Sequence, residues 1–201
     1  MLDRVSLRDI PVVTMVLMVI SILTWLAYEL GMGLQVRYAF FISKYVMQPY
    51  LIEVMNGEVW RLVTPIFIHF SIIHILFNML CMAVFASAVE RKYGTVHYII
   101  LVLVIAILSN YAQYLYGGPG FGGMSGVVYG IFGYLWMQSK FNPWSGLAIH
   151  NQEIMFIMAW FVLCWTGLLG PIANMAHTVG LLMGIIWGYS QALYINSNKK
   201  R

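Results

Sequence analysis

The chain has 201 residues, of which 61% are hydrophobic and only 9% charged, and its formal net charge is +4. Soluble domains carry about 25% charged residues, so the composition excludes a soluble globular protein and predicts an integral membrane protein forming one bundle. The basic excess does not predict a nucleic-acid partner, because Lys and Arg sit mostly at the ends of apolar segments, where they report topology.

In chain order, Arg4 and Arg8 precede a first apolar span at about 11–30. A cleavable signal peptide would have a shorter apolar region ending at a small-residue cleavage site, so a retained helix is expected. About ten residues lie before it, too few for a packed core. The expectation is therefore one membrane domain over 1–201, with a short leading segment 1–10, a basic tail 195–201 and no separate soluble domain. Residues 31–68 scatter Arg37, Lys44, Glu53, Glu58 and Arg61 among aromatics. Too polar to span and too apolar for an ordinary loop, they predict short interfacial or partly embedded helices. Five more spans are expected at about 71–89, 96–116, 125–137, 154–169 and 174–194. The fold class is thus all-α, a bundle of six transmembrane helices with a partly embedded first loop. Cys81 and Cys164 lie inside apolar runs and read as core residues, with neither a disulfide nor a metal site implied.

Six spans put both termini on one side. Arg4, Arg8, Arg91, Lys92, Lys140, Lys199, Lys200 and Arg201 fall there, eight of the 11 Lys and Arg, while Arg37, Lys44 and Arg61 fall opposite. The excess of positive charge on the inner side predicts cytoplasmic termini.

The stretch Gly117–Gly133, GGPGFGGMSGVVYGIFG, opens with five glycines in seven positions and then turns apolar. Such a run predicts tightly folded, irregular backbone followed by a helix with Ser125 in its first turn. That helix ends near Phe141–Pro143, after roughly 22 Å at about 1.5 Å per residue. A bilayer core is about 30 Å thick, so the helix must begin inside the membrane, in a pocket opening to the outer side. The alternative is a helix–loop–helix in which the glycines serve only close packing.

Elimination narrows the chemistry. The only aspartates are Asp3 and Asp9, outside the spans, which excludes a two-aspartate intramembrane protease. No HExxH occurs, and no carboxylate stands at ligand spacing from a histidine, so no metal is expected. Of the five histidines, His97 and His150 fall at the inner ends of their spans, whereas His69, His74 and His177 fall at the level of Ser125. His177 begins a stripe with Gly180, Gly184 and Gly188, and small residues at this spacing let two helices approach closely. Ser125, Tyr129 and Gly133 lie four apart on one side of the neighbouring helix. Juxtaposing the two faces could bring His177 within reach of Ser125, the arrangement that activates a serine nucleophile. No Asp or Glu is available within these two spans, so they build only a dyad, with Tyr129 able to stack on the imidazole. His74 and Asn78 share a helix face and, with the Ser125 backbone N–H, could serve a developing oxyanion; interhelical hydrogen bonding alone is the other reading of that pair.

GMSGVVYG with AHTVG and its glycine stripe, HFSIIHILFN and Trp60–Arg61, in this order, resemble the rhomboid intramembrane serine proteases, and more closely their GlpG-type members from Gram-negative bacteria. The likeness runs from Trp60 to about Gly188. It implies Ser125 as nucleophile, His177 as general base and then acid, and an oxyanion hole from His74, Asn78 and the Ser125 amide. Tyr129, His69, Gly123 and Gly126 would be supporting positions, Phe77 and Trp160 gate residues, and Trp60–Arg61 the mark of a half-embedded first-loop hairpin. Glu90 matches a helix-tying position of a GxxxExxxG pattern, here departing at Ala86 and keeping Gly94. The resemblance further implies single-span transmembrane proteins as substrates, surrounding membrane lipid, no cofactor, and a place in the bacterial inner membrane with the site open to the periplasm. A transporter or channel built on the re-entrant glycine loop, and a rhomboid-like binding protein without catalysis, are the competing readings; the first gives Ser125 and His177 no joint role.

Overall fold

The computed structural model describes residues 9–45 and 51–199. The segment 1–8 and residues 200–201, with the charges of Arg4, Arg8, Lys200 and Arg201, lie outside the described residues. Every regular element among them is helical. An apolar chain in lipid must satisfy its backbone internally, and helices do so within one segment. The order is α1 (Val12–Glu29), α2 (Gly33–Phe40), α3 (Ile52–Met55), two 3₁₀ turns (Val59–Leu62 and Thr64–Phe67), α4 (Ile72–Cys81), a π turn (Met82–Ala86), α5 (Ser87–Tyr93), α6 (Thr95–Gly117), α7 (Ser125–Phe141), α8 (Asn151–Trp165) and α9 (Asn174–Lys199).

Four helical stretches are long and apolar enough to cross a bilayer: Val12–Glu29, Ile72–Tyr93, Thr95–Gly117 and Asn174–Lys199. The other two expected spans are shorter helices of 17 and 15 residues, α7 and α8. Several boundaries differ from the hydropathy reading. The second span continues through Glu90, Arg91 and Lys92, all good helix formers, and stops at Gly94, whose φ of 84° few other residues adopt. It is also not one α-helix, since the π turn at Met82–Ala86 separates α4 from α5. The fifth helix starts at Asn151 because His150 and Glu153 form a reciprocal cap, Glu153 accepting from the His150 N–H at 3.0 Å, and it ends at Trp165, short of Gly167. The last helix carries on through residues 195–199, where a tail was expected.

α7 sits at the centre, buried without a break from Gly126 to Leu135. Its closest neighbour is α9, with α6 also against both. α1 is peripheral: only Thr14, Ser21 and Thr24 are buried, while Val12, Val16, Val19 and Leu23 face outward, the side that lipid would cover. Glu90 fixes it in place. Its carboxylate accepts from the Val13 and Thr14 N–H groups at 3.1 and 2.8 Å and from the Thr14 hydroxyl at 2.7 Å. These are first-turn donors of α1 with no intrahelical acceptor, and an anion there also complements the helix dipole. Ala86, which stands at the departed glycine position, is fully buried in the π turn and compatible with that packing.

Arg61 ties together the described parts of the first loop. This side chain is almost fully buried and donates to the Phe41 and Tyr38 carbonyls at 2.8 and 2.5 Å and to Glu58 at 2.6 Å. Lys44 reaches the other Glu58 oxygen at 2.6 Å. Lys44 first and Arg61 second hold the Glu58 carboxyl below its ordinary value. The neighbouring Trp60 is half exposed, as expected of a residue at a membrane interface.

Candidate active site

The glycine run between α6 and α7 is pinned to the first loop. Gly123, at φ 134°, donates its N–H to the Pro65 carbonyl at 3.0 Å. A Cβ on Gly122 would lie 2.5 Å from the Ile68 Cβ, so only glycine lets this backbone approach so closely. The run delivers Ser125 to the first residue of α7, partly exposed, just after a fully buried Met124.

α9 brings His177 to it. Gly180 and Gly184 of α9 lie against the Gly126 and Gly130 carbonyls of α7, and a Cβ on Gly133 would be 2.7 Å from the Leu181 carbonyl. With the two backbones in contact, the His177 Nε2 lies 2.7 Å from the Ser125 Oγ. The His177 ring is 4.7 Å from that of Tyr129, tilted by 39°. His177 is 5% exposed, and its Nδ1 is buried with no hydrogen-bond partner among the described residues. With the hydroxyl donating to Nε2, the ring proton resides on Nδ1 and no third group orients it. The arrangement can pass the serine proton to an imidazole held by packing.

His74 stands near the serine, beside Gly123. Gly123 is crowded from both directions: a Cβ there would meet the His74 Nε2 at 2.7 Å and the Ser125 Oγ at 3.5 Å. Ser71 caps α4 by accepting from the His74 N–H at 3.2 Å. Asn78 is buried, and its amide donates to the His74 carbonyl at 3.0 Å. That bond uses one of the two amide protons, leaving the second for another acceptor. His69 is fully buried beside His74, with ring centroids 4.8 Å apart. Its Nδ1 lies 3.2 Å from the Phe67 carbonyl and its Nε2 accepts from the Met124 N–H at 3.5 Å. Both contacts are satisfied together only by the neutral Nδ1–H tautomer. Burial, and then the proximity of His74, push the His69 ring down to about 3, which keeps it in that form. Gly126 faces α6 and α9; a Cβ there would lie 3.0 Å from the Ser109 Oγ and 3.2 Å from the Ala176 carbonyl. Phe77 and Trp160 stack across α4 and α8 at 5.7 Å and 28°. A groove of about 500 Å³ lined by Met183, Ile186, Trp187, Ser190, Gln191 and Tyr194 lies on α9, several turns from this cluster.

Two positioning residues escaped the sequence reading. Gln113 on α6 accepts from the Met175 and Ala176 N–H groups at 3.0 and 3.3 Å, capping the start of α9 immediately before His177. Asn110 donates to the Leu62 carbonyl at 2.9 Å and ties α6 to the first loop. The signal was available: Ser109, Asn110 and Gln113 are polar residues clustered in an otherwise apolar span, where polar side chains bond across helices.

An all-helical membrane bundle with a serine–histidine pair between two central helices defines the class. The comparison with known proteins places it more narrowly. Residues 56–193 match the family profile described as the rhomboid domain, and the chain belongs to the rhomboid family. Among curated relatives, it is 40% identical over 148 residues to the rhomboid protease GlpG of Salmonella paratyphi A (strain ATCC 9150 / SARB42). The same identity and length hold for GlpG of Salmonella choleraesuis (strain SC-B67) and of Salmonella newport (strain SL254). Each match covers 73% of this chain and 53% of the relative, so the chain spans about half the length of the curated relatives it matches.

Proposed function

We propose that this chain is an intramembrane serine endopeptidase that cleaves transmembrane segments of single-span membrane proteins near their outer ends. The observation that carries the reading is the 2.7 Å contact between the His177 Nε2 and the Ser125 Oγ. Ser125 gives its proton to Nε2 as Oγ attacks the scissile carbonyl carbon. The oxyanion takes donors from the Ser125 N–H, His74 and the free Asn78 amide proton. His177 then gives the proton to the leaving amine, leaving an acyl-enzyme. Water attacks next, its proton passing to the same nitrogen and back to Ser125 as the carboxylic acid departs. The imidazolium formed in each half-reaction lies against the Tyr129 face, which favours the cation within about 6 Å of a ring.

His69, Gly123 and Gly126 support this site by holding the backbone around it. The Phe77–Trp160 stack between α4 and α8 is the gate through which a substrate helix enters, and the substrate must unwind locally because a helical peptide bond is shielded. The chain forms one domain of six spans in a bacterial inner membrane, its termini cytoplasmic and its site open to the periplasm. No metal or organic cofactor takes part, and water is the second substrate.

The test is incubation of the purified chain with a single-span reporter whose products are mapped by mass spectrometry, with and without a serine-reactive phosphonate. Cleavage at the outer end of the reporter's span, blocked by phosphonate attached to Ser125, is expected. Labelling at another residue, or products only from the soluble parts of the reporter, would overturn the reading. Asn78→Ala is expected to slow turnover by up to roughly 10²–10³-fold, the loss seen when one oxyanion donor is removed. An unchanged rate would take Asn78 out of the oxyanion hole and leave it as a brace within α4.

A further inference from the structure

At the end of the bundle opposite Ser125, four cations gather where α5, α7 and α9 finish: Arg91, Lys92, Lys140 and Lys199. None has a carboxylate within salt-bridge distance among the described residues. Among the described residues, the nearby acids do not pair with these cations. Glu90 is buried and taken by Val13 and Thr14, Glu153 accepts from His150, and Asp9 offers Arg91 only its main-chain carbonyl, at 2.8 Å.

Two of the cations converge on one neutral residue. The Lys92 Nζ donates to the Trp144 carbonyl at 3.3 Å, and the Lys199 Nζ lies 4.5 Å from the centre of the Trp144 ring. Trp144 is itself held, its main-chain N–H donating to the Asn142 side-chain oxygen at 3.2 Å, and it is 60% exposed. Asn196 fixes the end of α9 by donating to the Phe141 carbonyl at 2.7 Å. A carbonyl and a π face orient two ammonium groups without neutralising them. An exposed indole beside them, where the apolar helices end, belongs at the level of lipid headgroups.

We propose that Lys92, Trp144 and Lys199 form a binding site for the phosphate of an anionic phospholipid. The two ammonium groups supply the charge that a zwitterionic headgroup cancels within itself, and the indole sits at the headgroup boundary. The site is independent of the protease reading, since it shares no residue with the serine–histidine pair.

The experiment is native mass spectrometry of the full chain in detergent, titrated with phosphatidylglycerol, phosphatidylcholine or inorganic phosphate. Preferential binding of phosphatidylglycerol is expected, with each lysine contributing roughly five-fold. Lys92→Gln/Lys199→Gln is expected to erase that preference, while Lys92→Arg/Lys199→Arg keeps it. Equal binding of both lipids, or a preference that survives the double Gln variant, would overturn the site. Inorganic phosphate binding as tightly as the lipid would overturn the lipid assignment and leave a phosphate site. Retention of an added acidic peptide in preference to lipid would reassign the surface to a protein partner.

Discussion

Ser125→Ala is expected to abolish cleavage of a single-span substrate while leaving the bundle folded. The side chain contributes one hydrogen bond, to the His177 Nε2 at 2.7 Å, and its loss costs about 0.5–1.5 kcal/mol. No packing group is removed, so the melting temperature in detergent should move by only a few degrees. The kinetic effect is of another order. Without Oγ no acyl-enzyme can form, and loss of the nucleophile in a serine protease costs on the order of 10⁶-fold in turnover. His177→Ala should be similarly severe, because among the described residues the imidazole is the one base in contact with the hydroxyl. The double variant should be no slower than either single one, since the pair acts as a unit. Wild type and variants are compared with the same reporter and lipid, and folding is checked by thermal melting. Residual cleavage within ten-fold of wild type in Ser125→Ala would remove the serine from the reaction.

The central part of this arrangement was legible in the sequence because it rests on local patterns with direct spatial consequences. Glycines four apart on α9 and small residues on α7 leave only backbone at the surface, so the two helices must meet closely and carry Ser125 and His177 with them. The features that were not legible depend on partners far away in the chain. Gln113 caps a helix that begins about 60 residues later, and its polarity in an apolar span signals a bond across helices without naming the partner. The GxxxExxxG pattern likewise marks Glu90 as helix-tying but not the first turn of α1 that it caps. Hydropathy also misplaced the helix end at Glu90–Lys92, where charged residues with good helix propensity follow an apolar run, and at 195–199, where the Asn196 side chain holds the polar end of α9 by donating to the Phe141 carbonyl. The π turn at Met82–Ala86 is a third case, since nothing in five apolar residues distinguishes it from continuing α-helix. For Asn78 the sequence reading foresaw which helix face it occupies but not its bond to the His74 carbonyl, a choice made within one turn of α4.

The second large effect concerns the contact that places the dyad. Gly184→Ala is expected to destabilise the protein and to remove activity, although the residue lies two turns below His177 and touches no reacting atom. A Cβ at Gly184 would be driven into the Gly130 carbonyl, a main-chain atom in the middle of a buried helix that cannot rotate away. An overpacked core site costs roughly 1–3 kcal/mol, and a clash with fixed backbone belongs at or above the top of that range. Relief requires α9 to move off α7, which lengthens the 2.7 Å contact between His177 and Ser125. Activity should therefore fall even in the fraction that remains folded. Gly120→Ala is the matched control: it lies in the glycine run, yet a Cβ there has no neighbour within 4 Å. Its effect on stability should stay within about 0.5 kcal/mol, the range of ordinary surface substitutions. Melting in detergent and turnover on the same reporter read both variants. If Gly184→Ala melts and turns over like wild type, the two helices are not in backbone contact, and the geometry that aligns the dyad must come from elsewhere in the bundle.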